Sequence, residues 1–448
     1  MLLFKQAGVI RVDTLGEMID VAALLSTQPL PKGKRVAVIT YAGGIGVLLS
    51  DYLNDLGLEL AELEESTKKS LRTFLPKEAS VINPIDMIAS ATPDHYYMAT
   101  KAVLGDENVD SLIAVFIPPM LIEPERVEEA IVQAISETGK SKPVLLVIRT
   151  SKGLTGVTKI GEIELPTYPF PEQAAKALYH AVAYSDWLKK PSGKEIFVKG
   201  SKDEVAAVVS EALGRGSGWL SFPEILRILN AYSIPVAKTH FAKSAEEAGN
   251  LALEFKDEVA LKALVKGILH KSEVGLVKLG IEPANVHSTA KEMEKEIANH
   301  GLVLEGFIVQ EMVEGMEMLV GINYDEMFGS LVLLGFGGIY AEVFKDFSAR
   351  FTPLTEEDLE EMLVSLKGYR MLTGYRGAKY DTESLKNIVR NIAQLAFDFP
   401  EIAELDLNPV IVQEEGAKVV DARIRVAKVK PPIPISAKRA YYNEFKII

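Results

Sequence analysis

The sequence contains no cysteine among its 448 residues. That absence excludes disulfides, thiolate metal ligands and thiol nucleophiles together, and it fits a reducing compartment. Long apolar runs are also missing, because the longest, residues 112–122, includes Pro118 and Pro119 and falls short of the ~20 residues that span a bilayer. The N-terminus has no charged-then-apolar signal pattern. We therefore expect a cytoplasmic protein with no membrane partner.

Basic residues are the minority, with 49 Lys and Arg against 62 Asp and Glu, which gives a formal net charge of −13. A net negative surface repels nucleic acid, so we expect no nucleic-acid partner. Apolar residues make up 48% of the chain, which is enough for large cores. At roughly 150 residues per domain, the length predicts about three folding units.

The first third of the chain alternates short apolar runs with amphipathic stretches. Residues 36–40, 112–117 and 144–148 have the pattern of buried strands, and residues 47–56 and 125–137 have the pattern of helices. Buried strands separated by helices predict a parallel sheet with helices on both faces. Ligands of such sheets gather at the carboxyl ends of the strands.

The second half begins with two predicted helices and continues as a mixed α/β pattern that includes an antiparallel pair and a terminal hairpin. The helices are predicted at 203–213 and 221–232, and the strands at 259–263, 307–312, 316–322, 331–336, 410–412 and 418–421. A Pro-, Lys- and Gly-containing segment separates the halves. We predict a first domain at 1–190, a linker at 191–201 and a second domain at 202–448.

A glycine-rich turn, Tyr41-Ala-Gly-Gly-Ile-Gly46, follows a predicted strand and opens a helix. Unpaired backbone N–H groups and the positive helix end suit a phosphate there, with Gly43 and Gly44 as the contact residues. A tight turn with no ligand explains the same motif, because glycine turns are common in this fold.

The second half carries polar residues near the ends of its predicted strands. Lysines reach polyphosphate oxygens as point charges, whereas carboxylate and amide oxygens suit Mg²⁺. The backbone of a Gln-Glu-Met strand end could also offer donor and acceptor groups to an adenine edge. The polar residues are Lys262, His270, Glu311, Glu317, Arg350, Asp406, Asn408 and Asp421, and Met312 completes the Gln-Glu-Met strand end.

These motifs resemble the ATP-grasp subunit of ADP-forming acetyl-CoA synthetase. The resembling segments of the second half are 269–272, 309–313, 335–338, 373–377 and 403–410. Upstream segments are similar to the flavodoxin-like domain that precedes the ATP-grasp part in fused members, namely 6–12, 41–46 and 83–86. The resemblance implies an α/β chain: a flavodoxin-like parallel-sheet domain followed by a two-lobed ATP-grasp module.

The resemblance also implies a reaction, acyl-CoA + ADP + phosphate ⇌ carboxylic acid + ATP + CoA, through an acyl phosphate and a phosphohistidine. It implies ATP or ADP and Mg²⁺ as cofactors. It further implies a CoA-binding α-type partner subunit that carries the main phosphohistidine, which makes the expected protein a hetero-oligomer.

Residue roles follow from the same resemblance. Lys262 is expected at the ATP phosphates and Arg350 to neutralise phosphate charge. His270 is expected to relay the phosphoryl group, since a neutral imidazole can accept one and pass it to ADP. The remaining roles concern the base, the ribose, the phosphohistidine and the metal. Glu311 and Met312 line the adenine, Glu317 lies near the ribose or phosphates, Gly43 and Gly44 begin a helix that faces the phosphohistidine, and Asn408, Asp421 and Asp406 hold Mg²⁺.

Other interpretations stay open at this point. A self-sufficient ATP-grasp ligase would join a carboxylate to an amine, and a non-catalytic subunit would bind a nucleotide only. Leu276 favours the last interpretation, because the family usually has a glycine there and a leucine side chain restricts close backbone approach. The Asn83-Pro84-Ile85-Asp86 segment lies near the docking face in the family, but a plain turn explains it equally well.

Overall fold

A computed structural model describes residues 2–117, 123–139, 141–148, 156–190, 193–216, 218–265, 276–338, 345–377 and 379–430. The chain folds into two compact units. The first is Gly8–Ser192, and the second combines Met1–Ala7 with Gly193–Ile448. None of the described helices is both long and apolar enough to cross a membrane.

The first unit is built on a seven-stranded sheet in the order β2-β1-β4-β5-β7-β6, with β3 paired to β1. Its strands run parallel except β6, which is antiparallel to β7. The strands are β1 (Arg35–Thr40), β2 (Glu59–Leu60), β3 (Ile85–Asp86), β4 (Ser111–Phe116), β5 (Val144–Ile148), β6 (Val157–Ile160) and β7 (Ile163–Tyr168).

Helices cover both faces of this sheet. One apolar core lies between the sheet and α4, α5 and α6, and the other lies between the sheet and α2, α3 and α7. The helices are α2 (Leu15–Thr27), α3 (Gly43–Asp55), α4 (Glu65–Phe74), α5 (Pro93–Leu104), α6 (Pro124–Thr138) and α7 (Pro171–Lys189), while α1 (Leu2–Gln6) belongs to the second unit. The central strands are buried on both sides, which is why the sequence shows continuous apolar runs rather than alternation.

The second unit contains a four-stranded antiparallel sheet in the order β11-β10-β12-β9. Its strands are β9 (Thr239–Ala242), β10 (Val259–Val265), β11 (Val277–Ile281) and β12 (Leu304–Glu311). Helices α10 (Ala245–Ala252) and α11 (Val286–Asn299) pack on one face of it. Because strand side chains alternate, every second residue of β10 and β12 points to the opposite face.

A second sheet of the same unit has seven strands in the order β15-β14-β13-β16-β18-β8, with β17 paired to β16. The strands are β8 (Gly218–Trp219), β13 (Met316–Asp325), β14 (Gly329–Phe336), β15 (Phe347–Phe351), β16 (Ile402–Val412), β17 (Ala417–Val419) and β18 (Ala422–Val426). The accompanying helices are α8 (Lys202–Gly214), α9 (Phe222–Ala231), α12 (Glu356–Val364), α13 (Tyr369–Leu372) and α14 (Thr382–Asp398). They bury a single large apolar core against one face of the sheet.

This architecture confirms the predicted fold class, a parallel α/β sheet followed by a two-sheet module. The predicted pairing of 316–322 with 331–336 is observed as β13 and β14, and the terminal hairpin as β16 and β17. The sequence analysis missed the β6–β7 hairpin, whose burial alternates only weakly. In the segment predicted as a linker, the N–H of Ile196 donates to the carbonyl of Leu354 and that of Val198 to the side chain of Gln394.

Asn83 closes a gap between strands of the first sheet. Its Oδ1 accepts from the N–H of Val38 at 2.9 Å, and its Nδ2 donates to the carbonyls of Val36 and Ala61 at 2.8 and 3.0 Å. A single half-buried amide therefore bonds three backbone groups, of which the carbonyl of Val36 also accepts from the N–H of Ala61. Removal of the side chain would take this partner from the N–H of Val38 and the carbonyl of Ala61.

We expect Asn83→Ala to lower the free energy of unfolding of the first unit by about 3 kcal/mol, because it leaves backbone groups unsatisfied. Asn54→Ala, at an exposed position of α3, should stay within about 0.5 kcal/mol of the parent. Urea titration followed by circular dichroism measures both values. Equal stabilities for the two variants would contradict the role assigned to Asn83.

Candidate functional site

The side chain of Lys262 joins the two sheets of the second unit. Its neighbours in β10, Leu261 and Ala263, pack into the helix-covered core, so Lys262 points from the opposite face of the sheet. The side chain is 7% exposed, and its Nζ donates to the carbonyl oxygen of Val420 at 2.9 Å. The ammonium of one sheet is thereby held at the residue preceding Asp421 of the other.

Asn408 and Asp421 lie at the same place. The N–H of Asn408 donates to the carbonyl of Asp421 at 3.2 Å, and the N–H of Val420 donates to the carbonyl of Pro409 at 3.0 Å. The segment after β17 is thus fixed against β16 by backbone bonds. The structure brings Lys262, Asn408 and Asp421 to one point.

Asp406 lies two residues before Asn408 in β16. Burial raises the pKa of its carboxyl group, and the negative charges of Asp421 and Glu404 raise it further, against the opposing charge of Arg423. Two acidic side chains therefore share a partly buried region, and a cation placed between them would relieve their repulsion.

The oxygen atoms at this point fit Mg²⁺. The described residues contain no group of three or more His, Cys, Asp or Glu that could hold a metal ion. Mg²⁺ nevertheless is commonly bound through one or two carboxylates together with substrate phosphates and water. The carboxylates of Asp406 and Asp421 with the amide oxygen of Asn408 are a donor set of that kind.

Glu311, at the end of β12, connects the two sheets a second time. Its Oε1 accepts from the Nζ of Lys418, in β17, and from the N–H of Lys238, both at 2.7 Å. Burial acts to raise the pKa of Glu311, but these two hydrogen bonds outweigh it and hold the pKa below its usual value. Oε1 of Glu311 is therefore bonded to protein donors. The adjacent Met312 is 42% exposed.

Glu317 lies beside the glycine turn that follows β14. A Cβ added to Gly338 would collide with Oε2 of Glu317, and Gly338 has a φ of +55°. The N–H of Gly337 donates to the carbonyl of Glu317 at 2.8 Å. The turn can approach this carboxylate only because it has no side chain.

Arg350 is not brought together with these residues. It pairs across the sheet with Val332, a member of the helix-covered core, so it lies on that face. Its guanidinium is 3.3 Å from Glu361 and 3.9 Å from Asp358, both on α12. The expectation that it neutralises phosphate overlooked the strand alternation, which directs this side chain toward α12.

Leu276 packs inside the core of the four-stranded sheet. It is 3% exposed, and its carbonyl accepts from the N–H of Ala263 at 2.8 Å. The side chain therefore points away from the face that carries Lys262, which removes the observation that favoured a non-catalytic subunit. His270 lies outside the described residues, and its role stays a prediction.

Gly43 and Gly44 begin α3 in the first unit. No side chain caps this helix, and the space around Gly44 is open. A Cβ at Gly43 would lie 2.6 Å from Oδ2 of Asp86, so the glycine permits close approach of the Asn83–Asp86 segment. The geometry leaves N–H groups at the helix start available to an anion.

Comparison with known proteins adds domain matches to this geometry. Residues 211–426 match a model described as an ATP-grasp domain, and residues 36–183 match a model described as a Ligase-CoA domain.

Two curated relatives and one solved structure illustrate the similarity. The ADP-forming 4-hydroxybutyrate–CoA ligase of Nitrosopumilus maritimus is 30% identical over 94% of this chain and 61% of its own length. The subunit beta of ADP-forming acetate–CoA ligase II from Pyrococcus furiosus is 34% identical over 50% of this chain and 98% of its own. A structure of dinucleotide forming Acetyl-coenzyme A synthetase 1 from Ca. Korarchaeum cryptofilum, in complex with coenzyme A, Ca-AMPCP and HgCl+, is 36% identical over 49% of this chain and 99% of its own, with a TM-score of 0.47.

The expectation of a separate CoA-binding α-type partner is wrong. Relatives named as whole ligases, rather than as subunits, align with 94% of this chain, and the chain carries a Ligase-CoA domain of its own. The sequence analysis had treated that domain only as a docking surface for another subunit. The chain spans about 61% of the length of these whole-ligase relatives.

The two domain matches and the beta subunit that is aligned over 98% of its length agree with the fold. The chain belongs to the family of ADP-forming acetate and acyl-CoA ligases.

Proposed function

We propose that the second unit binds a magnesium–adenine nucleotide between its two sheets and performs the phosphoryl-transfer half of acyl-CoA + ADP + phosphate ⇌ acid + ATP + CoA. The observation that carries this proposal is the 2.9 Å contact between Nζ of Lys262 and the carbonyl of Val420, next to Asp421. A cation from one sheet and oxygen ligands from the other meet at one point, as a metal-chelated polyphosphate requires.

Lys262 is assigned to the phosphates. Its Nζ donates to the carbonyl of Val420, and a phosphate oxygen accepts a charge-assisted hydrogen bond of roughly twice the strength of a neutral one. The buried stem fixes the direction of the ammonium, so little side-chain freedom is lost when a phosphate takes the place of Val420 as the acceptor.

Asn408, Asp421 and Asp406 are assigned to Mg²⁺. When bound, the ion neutralises charge on the phosphate oxygens during transfer. The backbone bonds of Asn408 and Val420 hold these side chains in place, so the site requires little rearrangement. Glu317 is assigned to the nucleotide ribose beside the Gly338 turn, and the Glu311–Met312 strand end is assigned to the base.

His270 is assigned to the relay of the phosphoryl group, as the resemblance implies, and the start of α3 at Gly43 and Gly44 to the phosphoryl carrier. An uncapped helix start with open space at Gly44 supports an anion there. The proposed reaction belongs in the cytoplasm, where acyl-CoA and ADP are available.

We expect Lys262→Met to weaken binding of Mg-ADP at least about tenfold, because a charged hydrogen-bond donor to phosphate is lost. Isothermal titration calorimetry measures the dissociation constant. Lys256→Met, at an exposed position outside the two sheets, is the matched control and should bind as the parent does. The proposal fails if the parent chain does not bind Mg-ADP, or if both variants bind it equally.

The raised pKa of Asp406 gives a prediction for stability against pH. A carboxyl whose folded pKa is raised contributes stability below its unfolded pKa of about 3.9, and this contribution is lost as pH rises through the folded pKa. Asp406→Asn should therefore raise the melting temperature at pH 7 and leave it unchanged below about pH 4.

In excess Mg-ADP the parent should melt at a higher temperature than the Asp406→Asn variant, which is the reverse of the order without nucleotide. The reason is that the carboxylate of Asp406 binds the cation, which offsets its repulsion from Asp421, whereas the amide of the variant does not. Differential scanning calorimetry, with Glu415→Gln at the exposed hairpin turn as the control, measures both effects. A melting temperature that drops in Asp406→Asn without nucleotide would show that this carboxylate is structural.

Phosphoryl transfer is tested by incubation with ATP labelled at its γ-phosphate. We expect an acid-labile, base-stable label on the chain, which His270→Ala abolishes and His300→Ala, at the exposed end of α11, retains. If the label persists in the His270→Ala variant, the proposed relay role of His270 is wrong, whereas the proposal of nucleotide binding is unaffected.

A further inference from the structure

Gln310 lies on the same face of the four-stranded sheet as Lys262. It pairs with Ala260 of β10 and with Thr239 of β9, and its neighbour Val309 packs into the helix-covered core. Alternation along β10 places Ala260 and Lys262 on one face, so Gln310 belongs to that face as well. The residue directly precedes Glu311, at the strand end that is assigned to the base.

The side-chain amide of Gln310 has a fixed orientation. Its Nε2 donates to Oγ1 of Thr239 at 2.9 Å, and the hydroxyl of Thr239 donates its own proton to the carbonyl of Ala237 at 2.6 Å. Because that proton is committed, Oγ1 can only accept from Gln310. The opposite amide orientation would place two acceptors against each other, so the NH₂ group must face Thr239.

This arrangement leaves Oε1 of Gln310 as an acceptor without a donor. The residue is 1% exposed, and Oε1 has no hydrogen-bond partner among the described residues. Buried polar atoms are nearly always paired, and an unpaired one is costly. A buried acceptor held rigidly on the face of a nucleotide site indicates a donor on the ligand.

We propose that Gln310 selects adenine nucleotides over purine nucleotides that carry a carbonyl at position 6. The inference rests on the proposed function and deepens it by naming the base. The exocyclic amine of adenine donates a hydrogen bond to Oε1 of Gln310. The neighbouring carboxylate of Glu311 already accepts from Lys418 and Lys238 at its Oε1, whereas Oε1 of Gln310 has no donor among the described residues.

Hypoxanthine and guanine present an oxygen where adenine presents the amine. That oxygen would face Oε1, and the fixed amide cannot rotate to offer its NH₂ group instead. The site therefore rejects these bases by leaving two buried acceptors unpaired, which is the strongest form of discrimination that hydrogen bonding provides.

The test compares the affinities of Mg-ADP and Mg-IDP by isothermal titration calorimetry, since these two ligands differ only in the group at position 6 and in the accompanying proton on N1 of the base. The parent chain should prefer ADP by about tenfold or more. Gln310→Met keeps the length of the side chain without its amide, and we expect the preference to fall below about threefold, chiefly through weaker ADP binding.

Gln394→Met is the matched control. Gln394 is also a buried glutamine of the second unit, but both of its amide atoms are paired, with the N–H of Val198 and the carboxylate of Asp398. Its replacement should lower the melting temperature and leave the ADP-to-IDP ratio unchanged. A ratio that falls equally in both variants would attribute the effect to general loosening and overturn the inference.

Thr239→Val gives an independent readout, because it removes the hydroxyl that fixes the amide. The freed Gln310 side chain could then present its NH₂ group, and we expect the preference for ADP to relax while Gln310 itself is retained. This variant decides the matter if Gln310→Met does not fold.

The outcomes separate the two claims. A parent chain that binds neither nucleotide overturns the proposed function. A parent chain that binds ADP and IDP equally, or variants that keep the parent ratio, overturns only the role of Gln310. A ratio that falls in Gln310→Met and Thr239→Val, but not in Gln394→Met, supports it.

Discussion

The second unit depends on one buried cation, the ammonium of Lys262, held by a peptide carbonyl of the other sheet. Charged groups are costly to bury unless they are paired and hydrogen-bonded. The bond to Val420 occupies one N–H of the ammonium, and it also joins β10 to the segment that carries Asp421. The Glu311–Lys418 pair makes a second tie between the same sheets. Both contacts between the sheets use charged side chains that a polyphosphate or its metal can also bind. We therefore infer that nucleotide binding and the closure of the two sheets are coupled.

The same polar residues serve stability and function in different ways. Asn83 bonds three backbone groups and acts as a structural residue of the first sheet, although its motif suggested a docking role. Asp406 shows the reverse, because its raised pKa marks a carboxylate that costs stability where it stands. A polar atom that is left unpaired at a site, such as Oε1 of Gln310, is one for which a ligand supplies the hydrogen-bond partner that the fold does not.

Much of the fold could be predicted from the sequence, because buried parallel strands have continuous apolar runs and the antiparallel strands β13 and β14 are neighbouring strand-like segments of the chain. The convergence of Lys262, Asn408 and Asp421 followed from family motifs. Arg350 was misplaced because a motif gives the identity of a residue but not the face of its strand. Gln310 was missed as a site residue because a buried glutamine has no distinctive pattern; only its hydrogen-bond partners show which atom is unpaired. The need for a partner subunit was also inferred wrongly, because motifs do not show how domains are divided among chains.

The central claim is that the two sheets close on one metal-chelated nucleotide at Lys262. A crystal structure of the chain with ADP and Mn²⁺, with the metal located by its anomalous scattering, tests it most directly. We predict a metal peak within about 2.5 Å of oxygen atoms of Asn408 and Asp421, with Nζ of Lys262 on a phosphate oxygen. A nucleotide bound elsewhere, or a metal with no contact to either residue, would contradict the account.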